Sequence, residues 1–308
     1  MIPQATLPSS WYFVCKAKDL TVGKVLAKTF NNISLVFFRG ESQIPIAMEA
    51  RCSHLGADLR HATVVNAKIV CPLHEWQYNS SGSCVATKLA RDTLPDNKQK
   101  VYPCMEKFSS IFVFLGECFF PFPSTSFATG FTFEAAASID LDASWQSLAS
   151  NSFDVEHLTV VHKRGLHAEP QIQILNKHTL TLQYESYVLA NRISDKIMKF
   201  LSGNRIRVRV HTYGGTFITV ESQLKQQKSV LIFSFVPESA THTHVYMIIG
   251  VPQSLPIWDT VRRKLSIYLY RSFLKRDLVA VHNMQVRLEN LKQDKYLKYY
   301  WQYLQDLP

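Results

Sequence analysis

Residues 52 to 78 read CSHLGADLRHATVVNAKIVCPLHEWQY, a Cys-x-His pair followed, after sixteen intervening residues, by a Cys-x-x-His pair. Cys52, His54, Cys71 and His74 thus offer two thiolates and two imidazoles. Such a set can hold zinc tetrahedrally. It can equally hold a two-iron cluster in which one iron takes both sulfurs and the other both nitrogens. The spacing alone does not choose. In the cluster case each loop serves both irons, so the two loops must approach each other on a β domain.

A second set lies at residues 151 to 162, NSFDVEHLTVVH, which contains Asp-x2-His-x4-His. A non-haem iron(II) that activates O2 is held by two His and one carboxylate on one face, with the other face left for substrate and oxygen. His157 and His162 supply the imidazoles if they converge. On a regular helix five residues turn through about 500°, which leaves the two rings about 140° apart, so a bulge or the helix's last turn must bring them together. His157 has Phe153, Val160 and Val161 as helical neighbours and lies on an apolar face. A hydrogen-bonded core histidine explains one such residue well, but two beside an acid poorly. Asp154, about 60° from His157 on the same helix, is close enough to hydrogen-bond it; otherwise it is a helix-side charge with no special role. The third ligand must be a distant carboxylate.

The elements around these sets fall into two regions. From Trp11 to about Glu117 short β-rich runs (SLVFF, PIAMEA, AKIVC, SIFVFLG) alternate with turn signals such as Asn31-Asn32 and Ser80-Ser81-Gly82, the pattern of a small all-β domain. PFPSTS, 121 to 126, reads as a linker. Beyond it residues 144 to 162 read as a helix. QIQIL, TLTLQYESYVL, RIRVRVH, FITVESQL, SVLIFSFV and VYMIIGV then read as strands, and Trp258 to about Leu304 as one or two helices. The expected domains are 8–120 and 121–308.

The first set carries a family resemblance. CPLHEWQYNSSGSC resembles the second ligand loop of Rieske-type non-haem iron oxygenases, and WYFV, LVFFRG and IFVFLGE resemble the framework strands of the same domain. The likeness covers nearly all of residues 8 to 118. Ala57 and Leu73 stand where the respiratory Rieske branch has two further cysteines, which points to the oxygenase or ferredoxin branch. Ser53 replaces a Pro found in many members, and Glu75 a Gly found in most. NSFDVEHLTVVH, with Trp145 and Asn151 before the Asp, resembles the family's iron site, and RSFLKRDLVAVHNMQ resembles the C-terminal helix that brings the carboxylate, which places Asp277 as third ligand and leaves Glu289 as fallback. A helix there would set Asp277 among Phe273, Leu274, Ala280 and Val281.

The resemblance implies an α+β protein: an N-terminal all-β Rieske [2Fe-2S] domain followed by a helix-grip catalytic domain. Cys52, His54, Cys71 and His74 would hold the cluster, and His157, His162 and Asp277 an Fe(II). Asp154, with Asn151 nearby, would serve catalysis by bridging to His74 of a neighbouring subunit in a homotrimer. Electrons would come from NAD(P)H through a separate reductase or ferredoxin, since no Gly-x-Gly-x-x-Gly follows a strand. They would be used with O2 to hydroxylate, dealkylate or desaturate a small aromatic or sterol-like substrate. The form HLGADL and the chain length look more like the single-subunit-type monooxygenases than the two-subunit arene dioxygenases. A Rieske electron carrier or metal-stabilised binding protein is the competing class, and needs only the first set.

The whole chain bounds these readings. At 308 residues and 46% hydrophobic content it can bury a large core in two domains. Lys and Arg outnumber Asp and Glu by 34 to 24, which suits an acidic partner or anionic substrate, or is simply a basic surface. The basic residues are scattered, with no nucleic-acid module. All six cysteines lie at or before Cys118, and cysteines of a reducing, cytoplasmic chain bind metal more often than they pair. No apolar run reaches the ~18 residues of a membrane span.

Overall fold

Short runs of β-branched and aromatic residues in the N-terminal third, several of them buried along most of their length, form three small sheets among the described residues. In the computed structural model, Ser10–Lys16 pairs with Ser110–Leu115, which pairs with Cys104–Lys107. Leu26–Phe30, Ile33–Arg39, Pro45–Glu49 and Val101–Tyr102 form the second sheet, and Thr63–Val65, Lys68–Val70, Gln77–Tyr78 and Cys84–Ala86 the third. Val36, Phe38, Met48, Leu59 and Ile69 pack a core that also encloses Cys52 and Cys71. The structure describes residues 7–88, 93–125, 129–189, 192–225, 227–253, 256–281, 284 and 286–308.

By contacts the chain divides into Tyr12–Leu115 and a second unit of Met1–Trp11 with Gly116–Pro308. Ser10 and Trp11 go with the second unit because the Ser10 hydroxyl donates to the Tyr213 carbonyl and the Trp11 indole to that of Phe120.

The second unit is built on an eight-stranded antiparallel sheet. Its order is Phe131–Leu141, Thr243–Pro252, Lys228–Pro237, Phe217–Gln223, Ile206–Tyr213, Thr179–Val188 and Arg164–Leu166, with Gln171–Asn176 also pairing on Thr179–Val188. Among the described residues five α-helices accompany it: α1 (Trp145–Ser150), α2 (Val155–Val160), α3 (Ile193–Ser202), α4 (Pro256–Val281) and α5 (Leu297–Gln305). Ile267, Tyr270 and Leu274 of α4 pack on Met247, Ile249 and Val251 of the sheet. The spacing 267, 270, 274 continues through 277 to the buried Val281, so Asp277 falls on the apolar stripe that faces the sheet.

Several expectations change. Residues 144–162 are two short helices: α1 is capped by the Ser144 hydroxyl, and α2 starts afresh with Asp154 as N-cap. The strand Phe131–Leu141 and the helix α3 were not anticipated. Ala280 is exposed rather than packed around Asp277. The late helical stretch is divided into α4 and α5 by a 3-10 turn at Leu288–Gln293 that holds Glu289. Residues 282, 283 and 285 of the segment RSFLKRDLVAVHNMQ, and Ser126 of the expected linker, lie outside the described residues.

Candidate metal centres

The Cys–His loops are built on one plan. The Cys52 amide donates to the Ala57 carbonyl (2.9 Å) while the Gly56 amide donates back to Cys52 (2.8 Å); the Cys71 amide donates to Trp76 (2.9 Å) while the Glu75 amide donates back to Cys71 (3.0 Å). Each turn needs a left-handed residue four positions after its Cys. Gly56 takes that conformation at φ +72°, where the absent Cβ removes the steric cost. Glu75 takes it at φ +55° despite its side chain, which explains why Gly is the commoner residue there. The Glu75 carboxylate is exposed and pairs with Lys88 at 3.0 Å.

Burial divides the four side chains by type. Cys52 and Cys71 are 3% and 1% exposed, whereas His54 is half-buried and His74 exposed. The two imidazoles lie beside each other, ring centroids 4.8 Å apart, and Trp76 stacks on His54 at 3.9 Å. Two buried thiols beside two adjacent, more exposed imidazoles suit a cluster with one sulfur-bound and one nitrogen-bound iron, and the residues fit that group. Sequence reasoning missed two supporting residues. The buried Gln99 amide donates to the Glu49 and Arg51 carbonyls and accepts from the Ser53 amide, each at 2.8 Å, so it braces the first loop. Tyr78 places its hydroxyl 3.1 Å from Cys52 Sγ and accepts from the Ser53 hydroxyl at 3.2 Å. Burial, with the Cys52 sulfur alongside, pushes the Tyr78 phenol well up, so it keeps its proton.

In the second unit the structure brings together His157, His162 and Asp277. Asp154 Oδ1 accepts from the His157 backbone amide at 2.8 Å, which caps α2 and sets its first turn. The expected hydrogen bond between Asp154 and His157 is thus present, and it runs to the backbone amide. The helix ends at Val160, so His162, past the last turn, escapes the 140° separation. The Nε2 atoms stand 3.2 Å apart, and Asp277 Oδ1 lies 2.6 Å from that of His157 and 2.8 Å from that of His162. Three donors at about 2.1 Å around one octahedral ion stand about 3 Å apart, and the observed separations bracket that value. The residues fit a single divalent ion.

The electrostatics agree with metal-ligating protonation states. Burial alone would raise the Asp277 carboxyl; the hydrogen bonds to His157 and His162 outweigh it and hold the group below the usual carboxylate range. Burial pushes His162 down despite the neighbouring Asp277, which favours the neutral imidazole. Phe273 stacks on His162 at 3.6 Å. Arg276, unforeseen in the sequence, donates to the His162 carbonyl at 2.8 Å and pairs with Asp195 at 2.5 Å.

The triad lies on the wall of a cavity of about 500 Å3 lined by the sheet, α2, α3 and α4. Strand side chains enter it with period two, as in Val208 and Val210 or Leu231 and Phe233. Asn151 and Asp154 also line it.

Comparison with known proteins places this architecture. Residues 10–103 match the Rieske [2Fe-2S] domain. A cholesterol 7-desaturase of Bombyx mori is 28% identical over 165 residues, 52% of this chain and 36% of that protein; one of Ciona intestinalis is 22% identical over 96% of this chain and 68% of its own length. The chain thus spans well under two thirds of the Bombyx protein and of a Drosophila melanogaster relative, of which 39% is matched. Among solved structures, dicamba monooxygenase bound to dicamba superposes with a TM-score of 0.72 at 16% identity, covering 98% of both chains. The terminal oxygenase of carbazole 1,9a-dioxygenase from Nocardioides aromaticivorans superposes at 0.71 and 14% identity, covering 99% of this chain and 95% of that one. An α+β chain with a Rieske domain followed by a Rieske-oxygenase catalytic fold is the class that these findings define. The chain carries a Rieske [2Fe-2S] domain over residues 10–103 and shares the fold of these solved oxygenases. Among the described residues no helix is long and apolar enough to cross a membrane.

Proposed function

We propose that the protein is the terminal oxygenase of a Rieske system, oxidising a C–H bond of an apolar small molecule. The observation that carries this reading is the His157–His162–Asp277 triad, its three ligand atoms within 3.2 Å of one another on the wall of an apolar cavity. In this assignment Cys52, His54, Cys71 and His74 hold the [2Fe-2S] cluster, and the triad holds an Fe(II). Held there, an Fe(II) would supply O2 activation, with electrons from NAD(P)H delivered by a separate reductase or ferredoxin. The chain's own residues do the rest. Asp154 fixes the α2 turn that aims His157. The α4 stripe carries Asp277 to the sheet, and the apolar wall excludes water and orients the substrate. Relatives named as desaturases and monooxygenases are consistent with hydroxylation, dealkylation or desaturation in a monooxygenase-type branch.

Iron analysis and electron paramagnetic resonance test the reading. The full chain should bind about three irons and, when reduced, give the low average-g signal of a Rieske centre. Asp277→Ala should lose one iron and substrate-dependent O2 uptake while the Rieske signal stays. Two irons in the unaltered chain would mark an electron carrier; zinc without that signal would mark a structural site. Full iron and turnover in Asp277→Ala would move the third ligand elsewhere, with Glu289 next to be tried.

A further inference from the structure

The cavity wall carries a charge that the reading above leaves unused. Arg164 stands at the start of the edge strand Arg164–Leu166, two residues beyond His162, and lines the cavity at only 5% exposure. Its Nη1 is buried and has no hydrogen-bond partner among the described residues. The guanidinium carbon lies 5.7 Å from the centroid of the Phe273 ring, and that ring stacks on His162. One aromatic ring therefore relates Arg164 to the triad.

The surrounding charges do not cancel it. The buried carboxylate of Asp195 is engaged by Arg276 at 2.5 Å, with side-chain exposures of 5% and 8%. Asp195, which also acts on Arg164 across space, is the carboxylate the two guanidiniums share, while Asp277 on the same cavity wall is committed to His157 and His162. Burial holds the nearby Tyr184 phenol in its neutral form. Val220 and Ser222 line the cavity, whereas Glu221 between them belongs to the other face of the sheet. A guanidinium does not shed its proton in a protein, and a buried charge without a partner is strongly unfavourable. A ligand that brings the missing acceptor removes that difficulty, and its planar oxygens match the guanidinium fork.

We propose that Arg164 determines specificity, and that the substrate is an apolar molecule bearing a single carboxylate that Arg164 binds beside the His157–His162–Asp277 site. This rests on the cavity being the substrate site. It adds that a neutral apolar molecule of equal shape is a poor ligand, because a site built around a hydrogen-bonding group discriminates against analogues that lack it.

The test is binding without turnover, so that it stands apart from the oxygenase chemistry. Oxidised, anaerobic holoenzyme, with no electron donor, is titrated calorimetrically with 1-naphthoic, 1-pyrenecarboxylic and dehydroabietic acids, each against its primary amide. At least one acid should bind about thirtyfold more tightly than its amide, the size expected of a charge-assisted bidentate contact. Arg164→Gln should abolish that preference and leave the amide affinity within about threefold, while Arg164→Lys should keep part of it. Equal binding of acid and amide, no binding of any acid, or a preference that survives in Arg164→Gln would overturn the proposal. If Arg164→Gln does not fold, the acid-to-amide ratios in wild type and Arg164→Lys decide. Failure here leaves the three-iron holoenzyme intact, whereas failure of the oxygenase reading appears as iron missing from the triad.

Discussion

Tyr78 shows how one hydroxyl is committed to one atom. The Ser53 hydroxyl donates to it, which leaves the phenol's own proton free to point at Cys52 Sγ, 3.1 Å away. With Cys52 ligating as a thiolate, the phenol is the donor of that pair. An added electron makes the cluster sulfurs more negative, so the bond strengthens on reduction and raises the potential. If the difference between the two redox states is about 1 kcal/mol, it corresponds to roughly 40 mV for a one-electron couple. Tyr78→Phe should therefore lower the cluster potential by about 40 mV without changing iron content. A redox titration followed by electron paramagnetic resonance measures it, and an unchanged potential would show that the phenol does not donate to the sulfur. Glu75 acts differently: it is the exposed acid of the ligand loops, and its pair with Lys88 at the surface contributes little to stability.

At the scale of elements, α3 and α4 are pinned by a buried ion pair. Arg276 of α4 holds Asp195 of α3 and, through its other nitrogen, the carbonyl of His162. Arg276→Leu would leave Asp195 buried without its closest partner, at a cost of about 3 kcal/mol. The double variant Arg276→Leu with Asp195→Leu should recover most of that loss, because neither charge then remains. Urea unfolding of the three proteins checks it, and equal destabilisation in the single and double variants would assign the effect to lost packing. This pair was invisible in the sequence, where its members stand 81 residues apart. So was Arg164, whose meaning depends on what faces it across the cavity. The Cys–His sets were legible because their ligands are close in sequence and their loops carry local turn chemistry. The strands 179–188 to 243–252 were legible from runs of β-branched and aromatic residues. Phe131–Leu141 was missed because FTFEAAASIDL is rich in Ala and half-buried along most of its length, so it carries little β signal. The single helix expected over 144–162 merged α1 and α2, since apolar spacing runs on through 151–154. The N-cap type of Asp154, followed by Glu156, was the available sign of a new start.

On the proposed reading electrons pass between two metal centres, one in each unit of the chain, and Asp154 is where the trimer that the family resemblance implies becomes testable. The carboxylate has two oxygens with two assignable tasks. Oδ1 caps α2 on the His157 amide, while Oδ2 makes no hydrogen bond among the described residues and is the atom that, if the bridge implied by the family resemblance exists, would accept from His74 of a neighbouring subunit. Asp154→Ala removes both functions, and loss of the cap alone costs about 1 kcal/mol in the helix that carries an iron ligand, so its loss of activity would be ambiguous. Asp154→Asn separates them. Its carbonyl oxygen still caps, since Asn is as good an N-cap as Asp, but an NH2 group stands where Oδ2 stood and cannot accept. Asp154→Asn should therefore keep wild-type unfolding, iron content, Rieske signal and a trimeric mass by light scattering. Mixed with substrate and O2 after reduction, it should reoxidise its cluster about 100-fold more slowly than wild type, within the range seen when partners outside the coordination shell are removed. Wild-type reoxidation in Asp154→Asn, or full activity from a strictly monomeric protein, would remove Asp154 from the electron path and reduce its role to the helix cap.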